Sequence, residues 1–109
     1  MFDRVALDSY RTQARDPAHL TAMCADYRAG ATFDRTLDEA DRAAGRKIDA
    51  PLHFLWACSG FPAHTGDPAA IWRDWANSVT DSSCDTGHFV MEENPAAVRT
   101  AFLTHFGVR

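Results

Sequence analysis

The sequence predicts an α/β chain: three helices, a strand–helix–strand unit, and a closing helix. Three observations predict it. Leu52-His53-Phe54-Leu55-Trp56-Ala57-Cys58 is a near-continuous apolar run entered through Pro51, the pattern of a strand buried in a parallel sheet. Val79 to Cys84 reads as a second short strand, followed by a turn at Gly87. Asp16-Pro17, Asp67-Pro68 and Asn94-Pro95 are helix starts of one kind. In each, a side-chain oxygen can cap the helix, and a proline occupies the first position, where its missing N–H costs nothing.

In chain order, residues 3–15 form the first predicted helix, with Val5, Leu7, Tyr10 and Ala14 inward and Asp3, Arg4, Asp8 and Arg11 outward. The second starts at Pro17. Its stripe of Leu20, Met23, Cys24 and Tyr27 follows helical spacing, and Gly30 is expected to cap its end. A third helix opens at Thr32 or Asp34 and ends at Gly45. Asp34, Arg35, Asp38, Glu39, Asp41 and Arg42 make it a solvated, ion-paired helix. The crossover helix from Pro68 carries Ile71, Trp72 and Trp75 inward. The last helix carries Val98, Phe102, Leu103 and Phe106 on one face. Strand 52–58, helix 68–76 and strand 79–84 make a βαβ unit, whose crossover is expected to be right-handed.

Two strands cannot build a sheet with both faces covered. Phe54, Leu55, Trp56 and Val79 want a neighbouring strand that these 109 residues do not supply. The expectation is a piece of a larger α/β protein, or a chain that pairs with another.

Composition narrows the function classes. A formal charge of −4, with eleven Lys and Arg interleaved among fifteen acids, argues against a nucleic-acid partner. No apolar run is long enough for a membrane span, and the start does not have the pattern of a signal peptide. The three cysteines, Cys24, Cys58 and Cys84, are an odd number without a Cys-x-x-Cys pair, so a disulfide framework is not expected and a cytoplasmic location is. A zinc site from Cys58, Cys84 and His88 lacks paired-ligand spacing. No metal or other cofactor is expected.

His88 is the first candidate for chemistry. It stands just past the carboxyl end of the second strand, where loops converge in open α/β sheets. An imidazole there can accept a proton from water near neutral pH, or it can be a plain polar turn residue. Tyr27 is the second candidate. At the end of its stripe it reads either as a core tyrosine or as a hydroxyl donor aimed into a cavity. His53 reads as a packed or edge residue, and His64 as a solvated loop residue. Cys84 or Cys58 with His88 could be written as a Cys–His hydrolase, but nothing in the sequence orients the pair.

Five stretches carry a family resemblance. They are Tyr27-Arg28-Ala29-Gly30-Ala31, Asp38-x-x-Asp41-x-x-Ala44-Gly45-x-Lys47-Ile48, Leu55-Trp56-x-x-Ser59-Gly60, Ile71-Trp72-Arg73-x-Trp75-Ala76 and Gly87-His88-Phe89-x-x-Glu92-Glu93-x-Pro95. In this order they resemble the α/β-hydrolase fluoroacetate (haloacetate) dehalogenases, over about residues 5–106. The resemblance implies the C-terminal part of an α/β-hydrolase fold. Residues 1–45 would be the end of a helical cap, and 46–109 the last two parallel core strands with their flanking helices. It implies hydrolytic carbon–halogen cleavage of a 2-haloacid through an aspartyl ester. His88 would be the base and Tyr27 a donor to the leaving halide.

The same resemblance shows what these residues do not carry. No Gly-x-Asp-x-Gly or Gly-x-Ser-x-Gly elbow is present. The arginine pair for the substrate carboxylate and the acid that orients the base have no counterpart position here. The chain is therefore expected to be incomplete as an enzyme on its own. The resemblance implies a small haloacid substrate if the missing residues are supplied, as by a complementing N-terminal chain. A homodimer is the other partner considered. The alternative is a non-catalytic, truncated or degenerate hydrolase fragment, at most an interaction module.

Overall fold

The three Asp-Pro and Asn-Pro starts fold as their chemistry dictates. The Ala18 N–H donates to Asp16 Oδ1 (2.8 Å), the Ala70 N–H to Asp67 Oδ1 (3.0 Å) and the Ala97 N–H to Asn94 Oδ1 (3.1 Å), with proline in the first turn each time. Asp3 caps the first helix without a proline, accepting from Val5 and Ala6. The protein is seen in a computed structural model that describes residues 2–108. It divides into two compact units, Phe2–Arg46 and the segment from Lys47 onward.

The first unit holds α1 (Arg4–Gln13), α2 (Pro17–Ala31) and α3 (Phe33–Ala43). Arg11, Arg28 and Arg42 stand in their last turns, where positive charge complements the free carbonyls. None of the three helices buries a residue. Val5, expected inward, is 79% exposed, and Leu20 and Met23 of the α2 stripe are exposed as well. Gly30 does not end α2. The helix continues through it to Ala31 and breaks at Thr32, whose hydroxyl donates to the Arg28 carbonyl (2.7 Å). A glycine stops a helix by adopting positive φ, and Gly30 does not adopt it.

The second unit contains β1 (Leu52–Ala57), a short 3-10 helix (Phe61–Thr65), α4 (Pro68–Arg73), β2 (Val79–Cys84), α5 (Val90–Glu93) and α6 (Pro95–Phe106). The two strands are parallel, in register from Leu52 opposite Val79 to Ala57 opposite Cys84. The pairing extends beyond both ends. The Ile48 N–H donates to the Trp75 carbonyl, the Cys58 N–H to the Cys84 carbonyl and the Ser59 N–H to the Thr86 carbonyl.

Strand alternation sends neighbouring side chains to opposite faces. On one face Phe54 meets Trp72 of α4, with ring centroids 5.7 Å apart. On the other, His53 and Leu55 line an open groove of about 310 Å³ with Ala101, Phe102 and Phe106 of α6. His53 is held by two cross-strand hydroxyls, Thr80 at 2.9 Å and Ser82 at 3.0 Å. The expected full burial of β1 is not observed. Only Ala57 in it is buried, because a two-stranded sheet leaves edges and half a face open. Ile71 and Phe102, expected inward, are 51% and 59% exposed for the same reason.

Ala76 is buried at one end of the sheet, bridged to Ile48, while the buried residues Ala57, Gly60, Pro68, Ala69 and Cys84 lie at the other, where β1 and β2 end and α4 begins. Gly60 is required there, since a Cβ at that position would meet the Ala57 Cβ at 2.9 Å. The caps are the elements whose worth is simplest to measure. Asp67→Ala and Asn94→Ala are each expected to lower stability by about 1 kcal/mol, seen as a fall of about 4–8 °C in melting midpoint. Unchanged midpoints would mean that α4 and α6 are held by packing alone.

Candidate active site

The end of β2 delivers a tight turn. Cys84 is buried at 4% exposure and Thr86 at 5%. The Thr86 N–H donates to the Cys84 carbonyl (2.9 Å), and its own carbonyl accepts from Ser59 of the loop after β1 (3.2 Å). The two strand ends thus fix the backbone up to residue 86. The Thr86 hydroxyl is buried and has no hydrogen-bond partner among the described residues. Then come Gly87, His88 and Phe89, and the chain enters α5.

His88 is exposed. Its ring stands edge-on to that of Phe89, with centroids 5.1 Å apart. An exposed imidazole at the carboxyl end of a parallel strand can exchange protons with water. The turn that presents it is clasped by Glu93. Glu93 Oε2 accepts from the Gly87 N–H (2.7 Å), and Oε1 accepts from the Phe89 N–H (3.1 Å).

These bonds, Gly87's first and Phe89's second, hold the Glu93 carboxyl below the usual carboxylate range, and the charge of His88 adds to the effect. Because the folded value is lowered, the clasp is in force at neutral pH and is lost as pH falls through that lowered value.

Tyr27 stands near the end of α2, in the other unit, and is 81% exposed. Within its unit Tyr27 is not a core residue. Cys84 is too buried to act as a nucleophile with His88, and the thiols of Cys24 and Cys58 are exposed rather than packed. Among the described residues no group of three or more His, Cys, Asp or Glu is arranged to hold a metal ion. Nor is any helix among them long and apolar enough to cross a membrane.

The motif Gly87-His88-Phe89-x-x-Glu92-Glu93 contains Glu93 without assigning it a role. A signal was available. An acid a few residues past a Gly-x-x turn, at the start of a helix, is placed to reach back to free amides, as in a capping box.

No family model matches the chain. A curated fluoroacetate dehalogenase from Burkholderia sp is 33% identical over 94 residues, which are 86% of this chain and 30% of that protein. Solved structures of a "putative epoxide hydrolase" from Pseudomonas aeruginosa are 38% identical, with a TM-score of 0.82. They cover 98% of this chain and 37% of theirs, and one of them holds bound MFA. The chain is a relative of the α/β-hydrolases.

Its helices and two-stranded parallel sheet match the C-terminal part of an α/β-hydrolase, as expected from the sequence. The chain spans about a third of the length of the relatives it matches.

Proposed function

We propose that this α/β-hydrolase segment supplies the base and one halide donor of a haloacid dehalogenase. In this reading residues 1–45 are the end of the cap and 46–109 the end of the core. The observation that carries the proposal is His88: exposed at the strand's carboxyl end, on a turn tied at Ser59, Gly87 and Phe89.

The chemistry is a two-step displacement. An aspartate outside these 109 residues attacks the carbon that bears the halogen; the carbon–halogen bond breaks and halide leaves with its electron pair. Tyr27 donates a hydrogen bond to that halide, at the atom where charge develops. His88 then takes a proton from water, and the hydroxide adds to the carbonyl carbon of the aspartyl ester. The ester opens to a 2-hydroxy acid, the aspartate carboxylate is restored, and His88 gives up its proton to solvent.

A second reading follows from the name given to the Pseudomonas structures, which are the more similar in sequence: opening of an epoxide by the same base-activated hydrolysis of an ester. One chimera separates the two. This chain replaces the matching 94-residue stretch of the Burkholderia fluoroacetate dehalogenase. Fluoride release from fluoroacetate, read with an ion electrode, is the expected result. Turnover of an epoxide with no fluoride release would favour the second reading, and neither activity from a folded chimera would leave the non-catalytic alternative standing. The isolated chain, lacking the nucleophile, is expected to release no fluoride.

A further inference from the structure

We propose that Glu93 is the positioning residue for His88, holding the turn that presents the imidazole and placing a fixed negative charge beside it. The inference rests on the reading of His88 as the base. Three observations carry it.

First, the two bonds are arranged around one residue. Glu93 takes the N–H before His88 with one oxygen and the N–H after it with the other, at 2.7 and 3.1 Å. A carboxylate can accept at both oxygens, whereas a carboxamide can accept at only one and would turn its NH₂ toward the second amide. Second, the residue before His88 is shaped for this contact. A Cβ at Gly87 would lie 3.1 and 3.3 Å from the two Glu93 oxygens, so glycine is what lets the carboxylate close in. Third, the clasp is reciprocal. The Glu93 N–H donates to the Phe89 carbonyl at 2.9 Å while its side chain returns to the Phe89 N–H, closing a ring across α5. His88 lies between the two amides that Glu93 holds. Its backbone is fixed by neighbours, and its side chain is left for other work.

The electrostatic consequence follows from position. The other ionisable groups of this turn, of α5 and of the packed α6 are Asp85, Glu92, Arg99 and His105. Glu93 is the one tied to both amides that flank the imidazole. Attraction between its carboxylate and the imidazole is among the causes that lower the Glu93 carboxyl.

The test is nuclear magnetic resonance on the full 109-residue chain, with Glu93→Gln and, as control, Glu92→Gln. In the wild type, the Gly87 and Phe89 amide shifts are expected to follow a shared acid titration with a midpoint below the usual glutamate range. Glu93→Gln should abolish that titration and speed hydrogen exchange at both amides about tenfold, the scale of one lost charge-assisted bond. In the chimera Glu93→Gln should lower kcat while leaving KM within a few-fold of the parent, a split that a purely structural clasp would not produce. Glu92→Gln should leave exchange at both amides as it is.

Amides that do not titrate in the acid range in the wild type would overturn the proposal, even if the variant failed to fold. So would unchanged exchange at both amides in a folded Glu93→Gln. The base reading fails separately. It falls if His88→Ala leaves the chimera's turnover intact while the Glu93 measurements come out as stated.

Discussion

His88→Ala in the dehalogenase chimera is expected to cut steady-state fluoride release by about a hundred- to ten-thousand-fold, the range over which general-base catalysis contributes. The first turnover should survive. Attack by the aspartate on the substrate carbon does not need the imidazole, so one equivalent of fluoride per site should appear as a burst while the ester accumulates. Mass spectrometry of the intact variant would show the added carboxymethyl group. This pattern distinguishes a base that acts in the second step from a histidine that merely supports the fold, since a misfolded site would give neither burst nor adduct. Turnover by His88→Ala within a few-fold of the parent would remove His88 from the mechanism.

The parts of this protein legible in sequence are those settled by local chemistry. Asp16, Asp67 and Asn94 each precede proline, and each caps its helix through its own side-chain oxygen. The apolar run at 52–57 forms a strand, and 79–84 pairs with it in parallel register. What pattern misjudged was burial. Val5, Leu20, Ile71 and Phe102 follow helical spacing, yet all are exposed. Periodicity reports which face of an element prefers an apolar neighbour, not whether one is present. Gly30 was misread for a related reason. A glycine near the end of a stripe can cap a helix, but the chain breaks where a competing hydrogen bond forms, here at Thr32.

The candidate site divides in the same way. His88 could be found from the sequence because a histidine after a strand and a Gly turn occupies a defined place in an open sheet. Glu93 could not be ranked above Glu92 on pattern, since adjacent acids on one helical turn differ only in which way they point. The backbone geometry selects between them: Glu93 is the one whose oxygens reach the Gly87 and Phe89 amides. The buried hydroxyl of Thr86, two residues before His88, was equally invisible. Threonine in a turn normally finds a local acceptor or donor, and only the packing of the strand ends shows that this one does not.

Tyr27→Phe in the same chimera carries the other large expected effect. Removing one donor to charge that develops in a transition state costs about a hundred- to a thousand-fold in rate. The loss should depend on the leaving group. Fluoride gathers the most concentrated charge of the halides and accepts the strongest hydrogen bond, so the penalty should be greatest for fluoroacetate and much smaller for chloroacetate. It should also fall on the first step, so that the burst slows while hydrolysis of a preformed ester does not, the reverse of the His88 pattern. Tyr27 is 81% exposed, so removing its hydroxyl disturbs little packing in its own helical unit. The melting midpoint of the variant should accordingly match that of the parent chimera. Equal rate losses for both haloacids would show that Tyr27 shapes the pocket without donating to the halide, and an unchanged rate with fluoroacetate would remove it from the site.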